Sequence, residues 1–344
     1  MSNIPKIDPV SEGPRPLWSV MIPAYNAADY LAKTIRSVLV QDPGPEAMQI
    51  EVVDDHSLKE DLRAVVEEVG RGRVGYYRQP RNVGVVENFN TCIQRARGQW
   101  VHILHGDDTV LPGYYERLGA ATGQRGVGAA FCRYLFMNEE GHWMWISELE
   151  ASSAGAMQAW IGKIAVRNRV MAPAIIVARW VYEELGGYDP RLFHCADWDM
   201  WKRIGAGYPV WYEPTVLACY RTHSKSDTSR LMRTGKNVED IRRSIALAKA
   251  YLPEAAANDL TRRAYDTCAL GALDAASGML RRRDFGAAVA QTREALKASC
   301  SVSVLVRSAR TMGRGVAALL WGSLRRSHGK GVRAVRAAEG VTQS

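Results

Sequence analysis

Short apolar runs alternate with amphipathic stretches along the first third of the chain. Runs rich in β-branched residues are typical of buried strands, and apolar positions recurring every three to four residues are typical of helices that face a core. This pattern predicts an α/β fold with a mainly parallel sheet flanked by helices on both faces. The predicted strands are 18–23, 50–55, 74–79 and 100–104, and the predicted helices between them are 27–41 and 86–97.

The pattern becomes less regular further along the chain. It predicts a helix near 179–185, a second helix from Asp197, an extended stretch at 208–221 and helical structure from about Val238 to near Lys297. The strand order between residues 127 and 180 does not follow from the pattern. We therefore predict four regions: a polar N-terminal segment (1–17), a catalytic domain (18–230), a helical region (231–300) and a basic amphipathic tail (301–344).

Charge is unevenly distributed over these regions. Of the net charge of +9, residues 231–344 contribute 20 Lys and Arg against nine Asp and Glu, whereas residues 1–230 carry 25 against 27. In the tail, arginines and apolar residues fall on opposite sides of a helical projection. Such a stretch is suited to an anionic membrane surface, but it is equally consistent with a helix that packs its apolar face on the protein. No aromatic-interleaved basic motif is present, so we do not expect a nucleic-acid partner.

The sequence offers no targeting signal that we recognise. The N-terminal stretch lacks an apolar core, and the longest apolar run near the C-terminus, 316–321, is too short to span a bilayer. The six cysteines include no C-x-x-C pair, which argues against a structural zinc site and against a disulfide scaffold. We therefore expect a protein of the reducing cytoplasm, with peripheral attachment to the cytoplasmic face of a membrane as an open alternative.

Acidic residues follow the predicted strands at three points. Asp54 and Asp55 end one strand, Asp107 and Asp108 follow another, and Asp197 begins a helix. Ligands of open α/β sheets bind beyond the carboxyl ends of the strands. Adjacent carboxylates repel each other, and a divalent cation that bridges them to a diphosphate would relieve the repulsion. Turn and helix-cap chemistry is the alternative interpretation of the second pair.

Two histidines near the second pair permit a zinc cluster. His102 and His105, together with Asp107, could supply three ligands. Packing and hydrogen bonding are the more common roles of such histidines, and we favour those roles here.

Several motifs then occur in an order that resembles the family 2 glycosyltransferases with the GT-A fold. The resemblance covers roughly residues 18–223, and the set of motifs is more specific than any one of them. They are SVMIPAYNAADYLAKTIRSVLVQ, EVVDDHS, RNVGVVENFNTCIQRARGQWVHILHGDD and GGYDPRLFHCADWDMWKR.

The resemblance implies a nucleotide-binding role for residues near the first two strands. It identifies Asp55 as the acidic residue that bonds the base, usually uracil. Residues that would hold the base or lie beside the nucleotide are Pro23, Ala24, Tyr25, Asn82 and Gly84. One departure concerns His56, which replaces the usual glycine after the acidic pair.

The resemblance also assigns roles to residues at the second pair and beyond it. Asp107 would lie near the ribose, and Asp108 would bind the metal. Asp197 falls where the family keeps its catalytic base, although Ala196 replaces a common glutamate. Arg221 and His223 resemble an element that contacts the diphosphate or the metal.

Asp199 is a rival to Asp197 as the base. Two residues along a helix it should face away from Asp197, so we favour Asp197.

These assignments imply an inverting glycosyltransferase that uses Mg²⁺ or Mn²⁺. It would move a sugar from a nucleotide-diphosphate donor, UDP-linked by resemblance, to an acceptor hydroxyl of a surface polysaccharide or glycolipid. Two rivals remain, namely a sugar-nucleotide nucleotidyltransferase and a non-catalytic binding protein of the same fold. The first would normally show a glycine-rich basic phosphate loop after its first strand, where this chain has MIPAYNAADY. The second would not need Asp55, Asp108 and Asp197 together.

Overall fold

The computed structural model describes residues 4–11, 13–223 and 227–313. The strands are β1 (Trp18–Ala24), β2 (Met48–Asp54), β3 (Gly75–Arg78), β4 (Trp100–Ile103), β5 (Thr109–Val110), β6 (Ala129–Met137), β7 (Trp143–Ile146), β8 (Gly155–Ala156), β9 (Ile175–Ala178) and β10 (Val210–Arg221). The helices are α1 (Ala28–Leu39), α2 (Leu62–Gly70), α3 (Val85–Arg95), α4 (Tyr114–Thr122), α5 (Trp160–Ile164), α6 (Arg179–Leu185), α7 (Ala196–Gly207), α8 (Asp227–Thr234), α9 (Lys236–Ala248), α10 (Glu254–Arg281) and α11 (Phe285–Ala298). A 3₁₀ turn spans Ala172–Ala174, and residues 302–313 are helical as well.

The strands form one mixed sheet with the order β3-β2-β1-β4-β9-β6-β10-β5. β1 pairs in parallel with β2 and β4, β2 with β3, and β6 with β10. β9 runs antiparallel to both β4 and β6, so β6 and β10 point the same way as the first four strands. The prediction of a mainly parallel sheet is therefore confirmed. It follows that β1, β2 and β4 end at a common edge.

The predicted strands and helices of the first third are confirmed within a few residues. Every residue of β1 is buried, as expected for a strand covered on both faces. α1 buries Tyr30, Leu31, Thr34, Ile35 and Val38, which recur every three to four residues on one face. The sequence analysis missed α2 and α4. α2 begins after Asp61, whose side chain accepts a hydrogen bond from the Ala64 amide, which is an N-cap that the sequence did display.

The polar N-terminal segment packs on the sheet domain. Ile7 is completely buried, and Gln94 and Arg179 donate hydrogen bonds to the carbonyls of Lys6 and Asp8. The Arg15 side chain also donates hydrogen bonds to the carbonyls of Arg97 and Gly98, so both backbone and side-chain groups hold this segment in place.

The chain divides into two compact units. Within the described residues, the first comprises those up to Arg230 together with 240–264, and the second comprises 231–239 and 265–313. In the first unit, Ala248, Leu252 and Leu260 pack with Ala165. In the second, the core includes Val238, Ala269, Leu273, Ala295 and Val304. The helical region predicted at 231–300 is thus shared between the two units.

Only the beginning of the predicted basic tail lies within the described residues. In the helix at 302–313, Val304, Ser308 and Thr311 are buried, whereas Leu305 and Met312 are exposed. Residues 314–344 lie outside the described residues, so the membrane interpretation of the tail stays a prediction. Among the helices that the structure describes, none combines the length and the apolar character needed to cross a membrane.

Candidate active site

The carboxyl ends of β1, β2 and β4 bring the predicted nucleotide residues together. The Asp55 amide donates to the Ala24 carbonyl over 2.9 Å, and the Gly106 amide donates to the Pro23 carbonyl over 3.1 Å. A side chain at position 106 would place its Cβ 3.2 Å from the Ala24 Cβ and 3.3 Å from the Pro23 oxygen. Glycine therefore allows the segment before Asp107 to lie against the end of β1.

Asp55 organises the turn that precedes α3. Its carboxylate accepts hydrogen bonds from the Val83 amide (2.7 Å), the Gly84 amide (2.9 Å) and the Asn82 side chain (3.0 Å). Gly84 has a φ of +88°, a conformation that favours glycine. Burial raises the pKa of Asp55, and the two backbone hydrogen bonds oppose this shift. Asp55, Asn82 and Gly84 thus form one clamp, in which the carboxylate positions the turn.

Asp54, the other member of this pair, is fully occupied by the protein. It accepts hydrogen bonds from the Ser57 amide and hydroxyl (2.9 and 2.6 Å) and from the Tyr76 hydroxyl (2.7 Å). The Arg78 guanidinium lies 3.4 Å away. The side chain of Asp54 therefore stabilises the turn that follows β2.

His56 has a φ of +60°, in the left-handed region. Glycine adopts this conformation without strain, which agrees with the glycine that the family resemblance implied at this position. The His56 ring bonds the Gln79 carbonyl over 3.0 Å, which compensates for part of the strain. Tyr25 is half exposed, so its ring is accessible to a ligand at this end of the sheet.

The second acidic pair meets the end of β10. The Arg221 amide donates to Asp108 Oδ1 over 2.8 Å, and His223 Nε2 lies 3.0 Å from Asp107 Oδ2. Thr34 of α1 donates to the Asp108 carbonyl over 2.7 Å. Asp108 is 1% exposed, whereas 28% of the Asp107 side chain is exposed. Asp107 therefore presents the more accessible carboxylate.

The side chain of Arg221 is directed at protein carbonyls. Nε donates to the Asp107 carbonyl over 2.9 Å, and Nη1 donates to those of Asn138 and Glu139. The guanidinium also lies over the Tyr30 ring, 4.8 Å from its centroid. Arg221 thus positions the acidic pair. This placement does not favour the direct diphosphate contact that the resemblance implied.

The pKa values of Asp107 and Asp108 are shifted in opposite directions. Burial raises the pKa of Asp107, but the hydrogen bond from His223 and the nearby charges of His105 and His223 outweigh it and lower the pKa overall. Burial and the negative charge of Asp107 raise the pKa of Asp108 well above its usual range. A cation beside both groups would remove this conflict.

Orphaned polar atoms in the same corner fit such a cation. Asp108 Oδ2, His105 Nε2 and His223 Nδ1 are buried and lack hydrogen-bond partners among the described residues. One potential ligand atom from each of His105, Asp107 and Asp108 lies within 4.8 Å of the others. Unsatisfied oxygen and nitrogen acceptors are costly unless a ligand fills them. These residues therefore fit a divalent metal.

His102 is a packing histidine, as we favoured from the sequence. It is completely buried, and its ring nitrogens lie 3.1 Å from the Tyr115 hydroxyl and 3.1 Å from the Pro173 carbonyl. Burial lowers its pKa to about 3, so the ring is neutral. His105, by contrast, lies in the acidic corner, and our preference for a packing role overlooked it there. Its position two residues before Asp107 was the available signal.

Asp197 begins α7 and is oriented toward the same end of the sheet. Its Oδ1 accepts from the Trp198 amide over 2.6 Å, and its side chain also bonds Asn168. Burial and the negative charges of Asp108, Asp107 and Asp197 raise the pKa of Tyr220, so all three carboxylates act on one hydroxyl. Burial raises the pKa of Asp197 itself to about 6.

Both carboxylate oxygens of Asp199 are hydrogen-bonded within the protein core. It accepts from Arg203 Nε over 2.9 Å and from the Tyr251 hydroxyl over 2.7 Å, and it is 2% exposed. This arrangement agrees with the expectation that Asp199 faces away from the site. Of the two carboxylates, Asp197 is the one left to act on a substrate.

A residue that the sequence analysis did not identify holds the loop before α7. Asp240 of α9 is completely buried, and its Oδ2 accepts from the amides of Phe193 (3.1 Å), His194 (2.8 Å) and Cys195 (3.1 Å). Three consecutive amides on one carboxylate oxygen fix the start of the helix that carries Asp197. Asp240 lies 43 residues after Asp197 in the sequence, and no local signal links them.

Solved structures with a similar fold include two glycosyltransferases. Staphylococcus aureus TarS (residues 1–349), determined in complex with UDP-GlcNAc, aligns with a TM-score of 0.60 and 14% identity over 81% of this chain and 88% of TarS. The mannosyltransferase PcManGT from Pyrobaculum calidifontis, determined with GDP-Man and Mn²⁺, aligns with a TM-score of 0.57 and 17% identity over 93% of this chain and 86% of that chain. At such identities the likeness establishes the GT-A fold alone.

Sequence comparisons find further similar proteins and one family profile. An uncharacterised Mycobacterium tuberculosis protein is 28% identical over 262 residues, which cover 70% of this chain and 77% of that protein. The succinoglycan biosynthesis protein ExoO of Rhizobium meliloti is 34% identical over 116 residues, which cover 34% of this chain and 31% of ExoO. The profile of glycosyl transferase family 2 matches residues 19–175. Residues 19–175 are therefore similar to glycosyl transferase family 2, and the chain has a GT-A fold.

Proposed function

We propose that this protein is an inverting, metal-dependent glycosyltransferase that transfers a sugar from a UDP-sugar to the hydroxyl of a surface polysaccharide or glycolipid. The observation that carries this proposal is the meeting of three features at one edge of the sheet. They are the Asp55 clamp, the orphaned ligands around Asp107 and Asp108, and the carboxylate of Asp197. Family membership favours transfer over the two rival functions, nucleotidyl transfer and simple binding.

The donor is expected to lie across the ends of β1, β2 and β4. The Asp55 clamp and the exposed Tyr25 ring provide polar and stacking contacts for a base. TarS supports a UDP-sugar, whereas PcManGT binds a GDP-sugar, so the structural relatives leave both bases in question. We choose UDP because Asp55 resembles the residue that bonds uracil in the family.

The diphosphate is expected at the Asp107–Asp108 corner. A divalent cation there would neutralise the charge that develops on the leaving group. Asp107, Asp108 and His223 are the residues that we propose to hold it. Arg221 would keep the corner in shape through its bonds to the carbonyls of Asp107 and Asn138.

Asp197 is proposed as the base that removes the proton from the attacking acceptor hydroxyl. A pKa of about 6 is high enough for useful basicity and low enough for the group to be ionised near neutral pH. A single in-line displacement by that hydroxyl would invert the anomeric configuration. Inversion by one displacement requires a single carboxylate base, and Asp197 is the residue that we propose for that role.

The acceptor class is inferred from one sequence relative and from exposed aromatic side chains. ExoO is named for succinoglycan biosynthesis, and this chain covers about a third of it. Trp143 and Trp145 are exposed on β7, whereas Trp160 is buried in the core. β7 therefore offers two aromatic faces on which sugar rings could stack.

The test is a binding and transfer assay across UDP-, GDP- and TDP-sugars, with Mn²⁺, with Mg²⁺ and with a chelator. We expect metal-dependent binding of a UDP-sugar, and NMR of the product should show the anomeric configuration opposite to that of the donor. If the protein prefers a GDP-sugar, only the nucleotide base in the proposal would change. Retention of configuration would refute the mechanism, and equal binding in the chelator would refute the metal site.

A further inference from the structure

His105 lies where it could complete a metal site. Its ring is 3.7 Å from Asp108 Oδ2, measured from Nδ1, and its other nitrogen is an orphaned buried atom. The ring stacks on Phe89 with centroids 4.9 Å apart and an interplanar angle of 12°. Phe89 therefore fixes the plane of the imidazole while its nitrogens stay available.

Comparison with His102 shows that packing alone does not explain His105. Both rings stack on an aromatic neighbour, but the nitrogens of His102 are satisfied by Tyr115 and Pro173. His105 instead directs its ring at Asp108, a buried carboxylate with an oxygen that has no partner among the described residues. A protein that needed only a flat apolar ring there would not require an imidazole.

We propose that His105 is a nitrogen ligand of the cation at Asp107 and Asp108, and that it makes the site select Mn²⁺ over Mg²⁺. This inference rests on the metal site of the proposed function. Mg²⁺ prefers oxygen ligands in a strict octahedron and gives up its water reluctantly. Imidazole nitrogen suits later divalent metals better. His105 adds a nitrogen to the two carboxylates of the corner, and His223, which we also propose as a ligand, lies beside Asp107.

The test measures binding of MnCl₂ and MgCl₂ to the purified full-length chain by calorimetry, with and without UDP. We expect Mn²⁺ to bind at least about tenfold more tightly than Mg²⁺, and His105→Asp to reduce that ratio by about tenfold or more. The matched control is His142→Ala, which removes an exposed histidine and should leave the ratio unchanged. An unchanged ratio in a folded His105→Asp protein would overturn the inference.

A second measurement does not depend on any variant. Pulsed EPR of the Mn²⁺-loaded wild-type protein should show ¹⁴N couplings from two imidazoles, and the absence of ¹⁴N coupling would overturn the inference even if His105→Asp failed to fold. The outcome is separable from the proposed function. Selective Mn²⁺ binding without any sugar transfer would support His105 as a ligand and refute the transferase. Sugar transfer by a protein that binds neither Mn²⁺ nor Mg²⁺ would support the transferase and refute His105 as a ligand.

Discussion

Two pairs of adjacent aspartates lie at the carboxyl ends of β2 and β4, the parallel strands on either side of β1, and their surroundings differ. At the end of β2, hydroxyl, amide and guanidinium groups occupy Asp54, and the turn before α3 occupies Asp55. After β4, Asp108 keeps a buried oxygen without a partner among the described residues, and two histidines lie beside the pair. Hydrogen bonds and an ion pair within the protein hold the first pair, whereas the second keeps a buried carboxylate oxygen that no described residue binds. The same pair of residues can therefore be fully hydrogen-bonded within a turn, as Asp54 and Asp55 are, or keep an oxygen that fits the proposed cation, as Asp108 does.

The largest expected effect is the loss of transfer rate when Asp197, the site carboxylate that belongs to neither pair, is replaced. Asp197→Asn should lower the transfer rate by roughly two to four orders of magnitude, because the amide cannot accept the acceptor proton. Nucleotide and metal affinities should stay near wild type, since Asp197 is proposed to contact the acceptor. Transfer rate and UDP affinity are measured on the same preparation.

Asp199→Asn is the comparison variant. It weakens the ion pair with Arg203 and the bond from Tyr251, so it should lower stability while the folded protein continues to transfer sugar. A dead Asp199→Asn enzyme with normal stability would move the base to that residue.

Asp108→Asn should separate the two pairs. Without metal, the variant should be as stable as wild type or more so, because it removes a buried charge beside Asp107 and keeps an oxygen for the Arg221 amide. Mn²⁺ affinity should fall by about one to two orders of magnitude. Thermal melts with and without MnCl₂ check both statements. A large loss of stability in the metal-free variant would mean that Asp108 is a structural residue like Asp54.

Asp55→Ala should give the opposite pattern. It leaves the amides of Val83 and Gly84 without their acceptor, at a cost of about 1–3 kcal/mol for each buried group left unpaired. Affinity for UDP should fall together with the free energy of unfolding, whereas binding of Mn²⁺ alone should be retained. Denaturant unfolding and metal calorimetry make the comparison. Loss of Mn²⁺ binding would show that the clamp and the metal corner are one cooperative unit.

The smallest effect is expected from replacing Asp240, whose negative charge contributes to the raised pKa of Asp197. In wild type, the transfer rate should fall as the pH drops through about 6, because Asp197 becomes protonated. Since its folded pKa is raised, ionising Asp197 should also cost stability as the pH rises from about 4 through about 6. Asp240 contributes to this raised pKa after burial, so Asp240→Asn should move the acid limb of the rate profile to lower pH.

The control for that experiment is Asp259→Asn, which changes an exposed carboxylate of α10. It should leave the profile in place. The Asp240→Asn side chain keeps an oxygen that can accept the three amides, so a folded variant with an unmoved acid limb would argue against Asp197 as the titrating base. The other ionisable groups with an electrostatic effect on Asp197 or from it are Tyr188, Cys195, Lys202 and Tyr220.

The sequence was most informative where local pattern and burial agree. β1 is buried along its whole length and β2 along all but one residue, and α1 shows its buried face as a regular repeat. The ordered motifs identified the family and its fold, which the comparisons confirm. Individual site residues could be predicted by resemblance, and their roles stay proposals.

The sequence by itself determined the α/β alternation, the acidic residues at the strand ends and the family. Only the tertiary structure decided what those residues touch. It directed Arg221 at carbonyls, paired Asp199 with Arg203, left His105 beside an unsatisfied carboxylate and placed Asp240 beneath the start of α7. The physical reason is that helix and strand patterns arise from neighbours a few residues apart. The satisfaction of a buried charge depends on groups that the fold brings from distant parts of the chain.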